Sequence, residues 1–518
     1  MKFICTILLC LLSGVQLSAQ VITAPDTINP KKGNREQQLK NIESRKKELF
    51  SDSTGNEPAN AVLLDSTIFN KYGDLLNDDR EYNPRQPLWK PAVEVLGVNA
   101  LFMGFNRYVA KADYGYVTFD SWKHNLKTGP EWDTDEFGIN FIGHPYQGTL
   151  YYNAARSQGY NFWKSAPFAV AGSLTWEYFG ENTLPSYNDL IYTPLNGIAL
   201  GEILYRISSN ILDDRTRGTE RTIREISAGL INPVRGLNRL LHGQTRRVTN
   251  KEVYQKEPLN ITLFGGLHRL NDQQDDVLGP SGNKAMFSAQ LDYGNPFEDR
   301  KRKPFDLFRF RAELSYGGKD TIAGTINNIT GYGILFGRNK QIGKLALQTG
   351  IFQYYDYWNT RNFDLGALSF GGGILSKLPL SKQINLYTNV HLGLIPLAGN
   401  STRFAPDSVG LRDYVFANGV SGKIETTLSL GKYASAALVY NHFWLHTFEG
   451  LEGTNSIGII RPRVTVKLFK NLSLGYEHFG YSTNRKLKDY ASQQATITDQ
   501  KIFLQLFLED PQRRGRYN

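Results

Sequence analysis

The sequence predicts an α+β protein: an N-terminal helical module followed by an antiparallel β-barrel of about twelve strands, of the outer-membrane type. Three observations predict it. A short apolar run behind a positive start opens the chain. Helix-length apolar blocks with helix-start signals fill residues 87–247. From 257 to 510 the side-chain pattern changes to a period of two.

The opening segment reads as a secretory signal over 1–19. Lys2 supplies the positive charge, Phe3 to Leu12 the apolar run, and Gly14, Ser18 and Ala19 a small-residue exit, so cleavage is expected near Ala19–Gln20. The run is too short to span a bilayer. Leu9 before Cys10 argues against lipoprotein processing. Both cysteines, Cys5 and Cys10, lie in this signal. The mature chain therefore has no disulfide framework, thiolate metal site or cysteine nucleophile. Residues 20–86 are polar, with loop-like runs such as Asn29-Pro30-Lys31-Lys32-Gly33-Asn34, and read as a mostly disordered leader.

No apolar stretch long enough for a membrane helix follows the signal, which argues against a polytopic helical protein. Abundant Tyr, Phe and Gly suit a membrane barrel, in which only alternate strand residues face lipid. The net charge of +10 points to anionic partners. In an envelope those are outer-membrane lipids sooner than nucleic acid.

Within the helical module, Pro91 to Ala110 has helix length. Pro145 suits a first-turn position, with His144 as the cap. Pro167 to Glu181 forms another run. Ser186, with Asp189 three residues on, fits the start of a long helix to Leu212. Gly197 and Gly201 on that helix permit close backbone approach to a neighbour.

The alternation after 257 is cleanest in four segments. Phe308, Phe310, Ala312, Leu314 and Tyr316 oppose Arg309, Arg311, Glu313 and Ser315. Ala285, Phe287, Ala289, Leu291 and Tyr293 oppose Lys284, Ser288, Gln290 and Asp292. Ile460, Val464, Val466 and Leu468 oppose Arg461, Arg463, Thr465 and Lys467. Ile502, Leu504, Leu506 and Leu508 oppose Lys501, Gln505 and Glu509. Further strands begin near Leu259, Ile326, Lys344, Leu365, Ile384, Val415, Tyr433 and Leu472. Pro462, on the apolar face, counts against a regular ladder there. Arg309, Arg311, Glu313, Lys423, Glu425, Arg461, Arg463 and Lys467 are expected to face the lumen, with Asp292 and Glu477 as further counter-charges. A basic side chain facing mid-bilayer would cost about 2–4 kcal/mol. An open pore so lined should prefer anions. Residues 511–518 form a basic tail.

Candidate chemistry concentrates in the helical module. Glu177 and Glu181 lie one helical turn apart among apolar residues and need a compensating cation, metal or shared proton. With His144 and Asp189 they are the candidate catalytic or metal-binding set. An arginine is the favoured compensator, with Arg156 or Arg206 as candidates, although Glu202 and Arg206 are also spaced as a helical pair. No cofactor is expected. The acidic loop Trp132-Asp133-Thr134-Asp135-Glu136 lacks the spacing of a calcium site. The stretch Arg217 to Arg247, with Arg221, Arg224, Arg235, Arg239 and Arg246, reads as a solvated or membrane-facing basic face. Serine-nucleophile, P-loop, zinc-protease and dinucleotide signatures are missing. His442 and His478 are secondary candidates for a barrel-borne hydrolase, but parity with Leu438 and Leu472 turns both toward lipid.

Over 87–215 the chain resembles a known family, through Pro87-Leu88-Trp89-Lys90-Pro91, Gly129-Pro130-Glu131-Trp132-Asp133, Gly143-His144-Pro145-Tyr146-Gln147-Gly148, Trp176-Glu177-Tyr178-Phe179-Gly180-Glu181 and Asn196-Gly197. It resembles the envelope proteins of domain-of-unknown-function family 3943. That resemblance implies a helical unit in its own right and transfers no activity. Two functions remain open: a channel or envelope scaffold with the helices below or partly inside the barrel, or a membrane-embedded enzyme acting on envelope lipid or glycan through the His144 set.

Overall fold

The computed structural model describes residues 85–249, 252–270, 282–317, 325–402, 412–488 and 490–509. The expected signal, the leader up to residue 84 and the basic tail lie outside these residues. Among the described residues, seven α-helices precede twelve strands.

The helices are α1 (Trp89–Gly104), α2 (Phe119–Thr128), α3 (His144–Arg156), α4 (Phe162–Phe179), α5 (Tyr187–Ile211), α6 (Gly218–Ile231) and α7 (Pro233–Leu241). Local signals set several of their starts. Thr118 and Ser121 form a reciprocal capping box on α2. Asn161 accepts from the Lys164 N–H at 3.0 Å, and Asn232 from the Arg235 N–H at 3.0 Å. Two of the expected caps are absent. His144 does not cap α3, because a π-helical turn over Ile139–Gly143 feeds the helix without a break, which frees the imidazole to turn elsewhere. Ser186 makes no side-chain cap on α5; its N–H donates instead to Glu177 Oε2 at 2.9 Å. At the centre of the module α3 crosses α5 at Gly148 and Gly197, where a β-carbon on either would collide with the other backbone.

The strands β1 (Leu259–Leu270), β2 (Gly282–Tyr293), β3 (Phe308–Tyr316), β4 (Thr325–Ile342), β5 (Leu345–Asn359), β6 (Phe363–Pro379), β7 (Ile384–Thr402), β8 (Val415–Leu430), β9 (Ala434–Glu449), β10 (Gly453–Phe469), β11 (Leu472–Leu487) and β12 (Gln493–Leu508) form a closed barrel. Each pairs antiparallel with its sequence neighbour. Closure runs from Ile261 opposite Leu508 to Leu270 opposite Asp499. Pro462 stays within β10: pairing with β11 lapses between Ile460 and Arg463 and resumes in the same register.

Ion pairs identify the inner face. Arg309 on β3 meets Glu425 on β8, Lys423 on β8 meets Asp356 on β5, and Lys501 on β12 meets Glu313 on β3. None of these strands are neighbours, so the side chains meet through the interior. The opposite parity is the outer wall, where Ile460, Val464, Leu474, Ile502 and Leu504 are exposed.

The helical module packs against that outer wall, rather than lying below the barrel or inside it. Gln353 and Tyr355 on β5 alternate with the inward Tyr354 and Asp356. Gln353 Nε2 donates to the Leu195 carbonyl of α5 at 2.8 Å, and the Tyr355 hydroxyl donates to the Phe141 carbonyl at 2.5 Å. Lower on the wall, Trp163 stacks on Phe336 and Phe162 on Phe305, with ring centroids 5.6 and 5.7 Å apart. The interior has no room for helices. Charge pairs cross it, and Phe352, Phe443, Ile457, Ile459 and Phe479 are wholly buried within it.

Candidate functional site

His144 opens α3, Glu177 and Glu181 stand at the end of α4, and Asp189 lies in the first turn of α5. These three helix ends meet beside the loop that carries Asp133 and Asp135. The cluster sits at the barrel rim, just before β8, where Asn140 donates to the Tyr414 hydroxyl at 2.5 Å and Arg412 donates to the Asp133 carbonyl at 2.9 Å.

One ligand atom each from His144, Glu177 and Asp189 lies within 4.8 Å of the others. His144 is 7% exposed, Glu177 4% and Asp189 2%. His144 Nε2 is 3.6 Å from Asp135 Oδ2 and 3.8 Å from Asp189 Oδ2. Those separations exceed a hydrogen bond, and both ring nitrogens and Asp189 Oδ1 lack a hydrogen-bond partner. Glu181 stands slightly apart, accepting from Trp176 Nε1 at 3.0 Å and Thr183 Oγ1 at 3.2 Å. Asp133 accepts from Asn140 at 2.7 Å and Asn188 at 2.9 Å.

The crowding of carboxylates shifts the protonation of the whole group. Burial alone would push the His144 imidazole down, but Asp135, Glu177 and Glu181 outweigh it and hold it at about 9. Burial, reinforced by Glu181, pushes Glu177 up to about 8 despite His144. Burial, with Asp133 and Glu177 nearby, holds Asp189 well above the usual carboxylate range. Burial also raises Glu181. Asp133 goes the other way: hydrogen bonds from Asp189, Asn188 and Asn140 overcome its burial and lower it.

The expected arginine is not there. Arg156 Nε and Arg206 Nε both hold Glu202, each at 2.8 Å, and Tyr152 donates to the same carboxylate at 2.7 Å. Arg156 is at the far end of α3, about 18 Å along the axis from His144 at 1.5 Å per residue. Arg206 also reaches Asp306 at 3.1 Å, tying α5 to the β2–β3 connection.

The basic stretch from Arg217 to Arg247 mostly turns inward, so it is not a basic face. Arg221, Arg239 and Arg247 converge on Asp214 at 2.9, 3.1 and 2.7 Å. Arg224 pairs with Glu220 at 2.9 Å, Arg235 donates to the Tyr205 carbonyl at 2.8 Å, and Arg246 is exposed. Asp214 is inaccessible at 1% exposure and attracts these cations because it would otherwise be a buried, uncompensated charge.

Inside the barrel, Arg309 also pairs with Asp292 at 2.5 Å, and Arg311 reaches Glu313 at 3.4 Å and Glu477 at 3.7 Å. Arg461 and Arg463 lie 3.1 and 3.8 Å from Glu477. Lys467 shares their parity and is exposed near the strand end. Sequence reasoning missed Asp356, hidden in an aromatic run, and placed Lys501 on the polar face of its strand without counting it among the lumen charges. On the outer wall, His442 stacks on Trp444 at 4.1 Å and bonds Ser456 Oγ at 2.7 Å and the Tyr440 hydroxyl at 2.6 Å. His478 lies beside the Tyr476 hydroxyl at 3.4 Å.

No curated protein matches the sequence. Three solved barrels show how distant the structural likenesses are. The outer membrane channel DcaP of Acinetobacter baumannii is 8% identical over 48% of this chain and 96% of that one, with a TM-score of 0.22. The anion-selective porin from Comamonas acidovorans is 9% identical over 48% and 98%, with a TM-score of 0.23. OmpT of Vibrio cholerae is 8% identical over 48% and 96%, with a TM-score of 0.24. Likenesses this weak carry no argument, and the barrel stands on its own strand order. Residues 129–234 match a family described as "Domain of unknown function (DUF3943)", a span that includes His144, Glu177, Glu181 and Asp189. Within the helical module the chain thus resembles that family over the stretch that holds the candidate site.

Proposed function

We propose that this protein is an outer-membrane scaffold, a closed barrel that anchors a helical domain against its own lipid-facing wall, and that it is not an open channel. The observation that carries the reading is the set of ion pairs linking non-neighbouring strands across the lumen, Lys501 to Glu313 and Lys423 to Asp356 among them. Charges paired in this way line no free path for a solute. The outer wall supports the membrane location. Leu392, Leu394, Val464, Val466 and Ile502 form part of an exposed apolar belt too large for a soluble surface. Outer-membrane lipids are then the direct partners. No described helix is long and apolar enough to cross a membrane.

The test is conductance. Refolded full-length protein in planar bilayers is expected to give no steady current, while the cellular protein fractionates with the outer membrane and shows heat-modifiable mobility. Reproducible open pores would overturn the scaffold reading, and recovery from the soluble periplasm would overturn the location. A second reading, an enzyme acting on envelope lipid or glycan, draws support from the convergence of His144, Glu177 and Asp189. It requires a hydrolytic activity of the purified protein that disappears in His144→Ala.

A further inference from the structure

We propose that His144, Glu177 and Asp189 bind one divalent transition-metal ion, with zinc as the representative, and that Asp135 guards the site from the solvent side. The inference does not depend on whether the barrel conducts.

The first argument is geometric. The three donors come from three helices, α3 and α5 locked at the Gly148–Gly197 crossing and α4 packed through Gly172 on the Tyr151 ring of α3, so they are positioned by the core and not by a loop. Their ligand atoms already lie within 4.8 Å of one another. Zinc–ligand bonds of about 2.0–2.2 Å place tetrahedral donors roughly 3.4 Å apart, so small rotamer adjustments close the shell.

An independent observation points into the same space. Both nitrogens of a buried imidazole and Asp189 Oδ1 have no hydrogen-bond partner. Buried polar atoms are almost always satisfied, so an orphaned imidazole nitrogen beside an orphaned carboxylate oxygen calls for a ligand. Charge gives the sign of that ligand. Asp133, Asp135, Glu177, Glu181 and Asp189 surround a single imidazole, and among the described residues no arginine or lysine side chain pairs with any of these carboxylates. A dication offsets two negative charges at once.

The donor set gives the class of ion. An imidazole nitrogen disfavours calcium and magnesium, which take oxygen ligands, and suits zinc and its first-row neighbours. Supporting contacts resemble those of a metal centre. Ser186 N–H holds Glu177 Oε2, while Asn140 and Asn188 hold Asp133 beside Asp189. Asp135, half exposed at 50%, lies 3.6 Å from the ring and offers a fourth ligand from the solvent side.

The experiment titrates chelator-stripped, full-length protein in detergent with zinc chloride against a chromophoric competitor, and in parallel with calcium chloride. One zinc per chain is expected, with no calcium bound at the same concentration. His144→Ala, Glu177→Gln and Asp189→Asn should each weaken zinc binding by about tenfold or more, while Glu181→Gln stays within about threefold. Heat-modifiable mobility and trypsin resistance verify that each variant folds. X-ray absorption on the zinc-loaded parent needs no variant: one imidazole among oxygen donors is expected. Less than one zinc per chain, parental affinity in a folded His144→Ala or Asp189→Asn protein, or a shell with no imidazole or with several would each overturn the assignment.

Discussion

The ring of Phe141 occupies the space that a side chain on Gly366 would fill, and a β-carbon at that glycine would overlap the ring. Gly399, opposite Gly366 on β7, leaves the other half of the same notch. Gly366→Ala is expected to lift the module from the wall at a cost of about 1–3 kcal/mol, the usual penalty for overpacking a closed contact. Trypsin should then cut within the helices while the barrel keeps its heat-modifiable mobility. Unchanged cleavage would show that the docking is held elsewhere.

Glu202 is fully buried and holds two guanidinium groups as well as the Tyr152 hydroxyl. Glu202→Gln leaves Arg156 without a carboxylate partner and Arg206 with Asp306 as its one remaining carboxylate among the described residues. Losing one partner of a buried ionic group costs about 3–5 kcal/mol, so the module should unfold well before the barrel. Urea titration followed by proteolysis reads the difference. A variant as resistant as the parent would show that water or other acceptors replace the carboxylate.

Acid should have a related effect. Burial would raise Glu202 and Asp214, but Arg156 and Arg206 on one, and Arg239, Tyr254 and Arg247 on the other, hold both below the usual carboxylate range. A carboxyl depressed in the folded state stabilises above its unfolded pKa, 4.5 for Glu202 and 3.8 for Asp214, and loses that contribution as pH falls through the folded value. The melting temperature of the module should therefore decline below about pH 4.5. A flat profile down to pH 3 would contradict the sign.

Metal removal gives a fourth prediction, resting on the proposed zinc site. Zinc at about a hundredfold over its dissociation constant stabilises the folded module by about 2.7 kcal/mol. Chelator should remove this in the parent and, after a tenfold or greater loss of affinity, no more than about 1.4 kcal/mol in Asp189→Asn at the same zinc concentration. A chelator effect of equal size in both proteins would place the ion elsewhere.

The strands differ in how openly their sequences show them. In β10 the outer face is exposed and apolar and the inner face carries charge, so a period of two is plain in Ile460 to Leu468; β3 keeps it in Phe308 to Tyr316 because its outer face, though partly covered by the module, is apolar throughout while its inner face carries Arg309, Arg311 and Glu313. In β5 the outer Tyr355 and Tyr357 are covered by the module and the inner Tyr354 and Trp358 by the lumen, so every position from Phe352 to Trp358 is buried and the alternation disappears there. The candidate site was legible as a set of unusual residues but not as an arrangement. Glu177 and Glu181 stand one turn apart in any helix, whereas Asp133 and Asp135 join them only through tertiary packing. Assigning Arg156 to those acids relied on nearness in sequence, and the length of α3 carries it to Glu202. Pro145 suggested a helix start with His144 outside it, but the π-helical turn placed His144 within the helix.

Asn140 and Tyr414 share a hydrogen bond although 274 residues separate them in the chain. The helices are made first, yet the wall that receives them is built from β3 to β8 and does not exist until those hairpins have assembled. Contacts of such long range are slow to form, because the connecting chain must be ordered before they return any free energy. The module must therefore wait, with its barrel-facing apolar side uncovered, while the ring takes shape. Docking is then a late step, and the interval before it is the part of the protein's life in which a chaperone or a protease has most to grip.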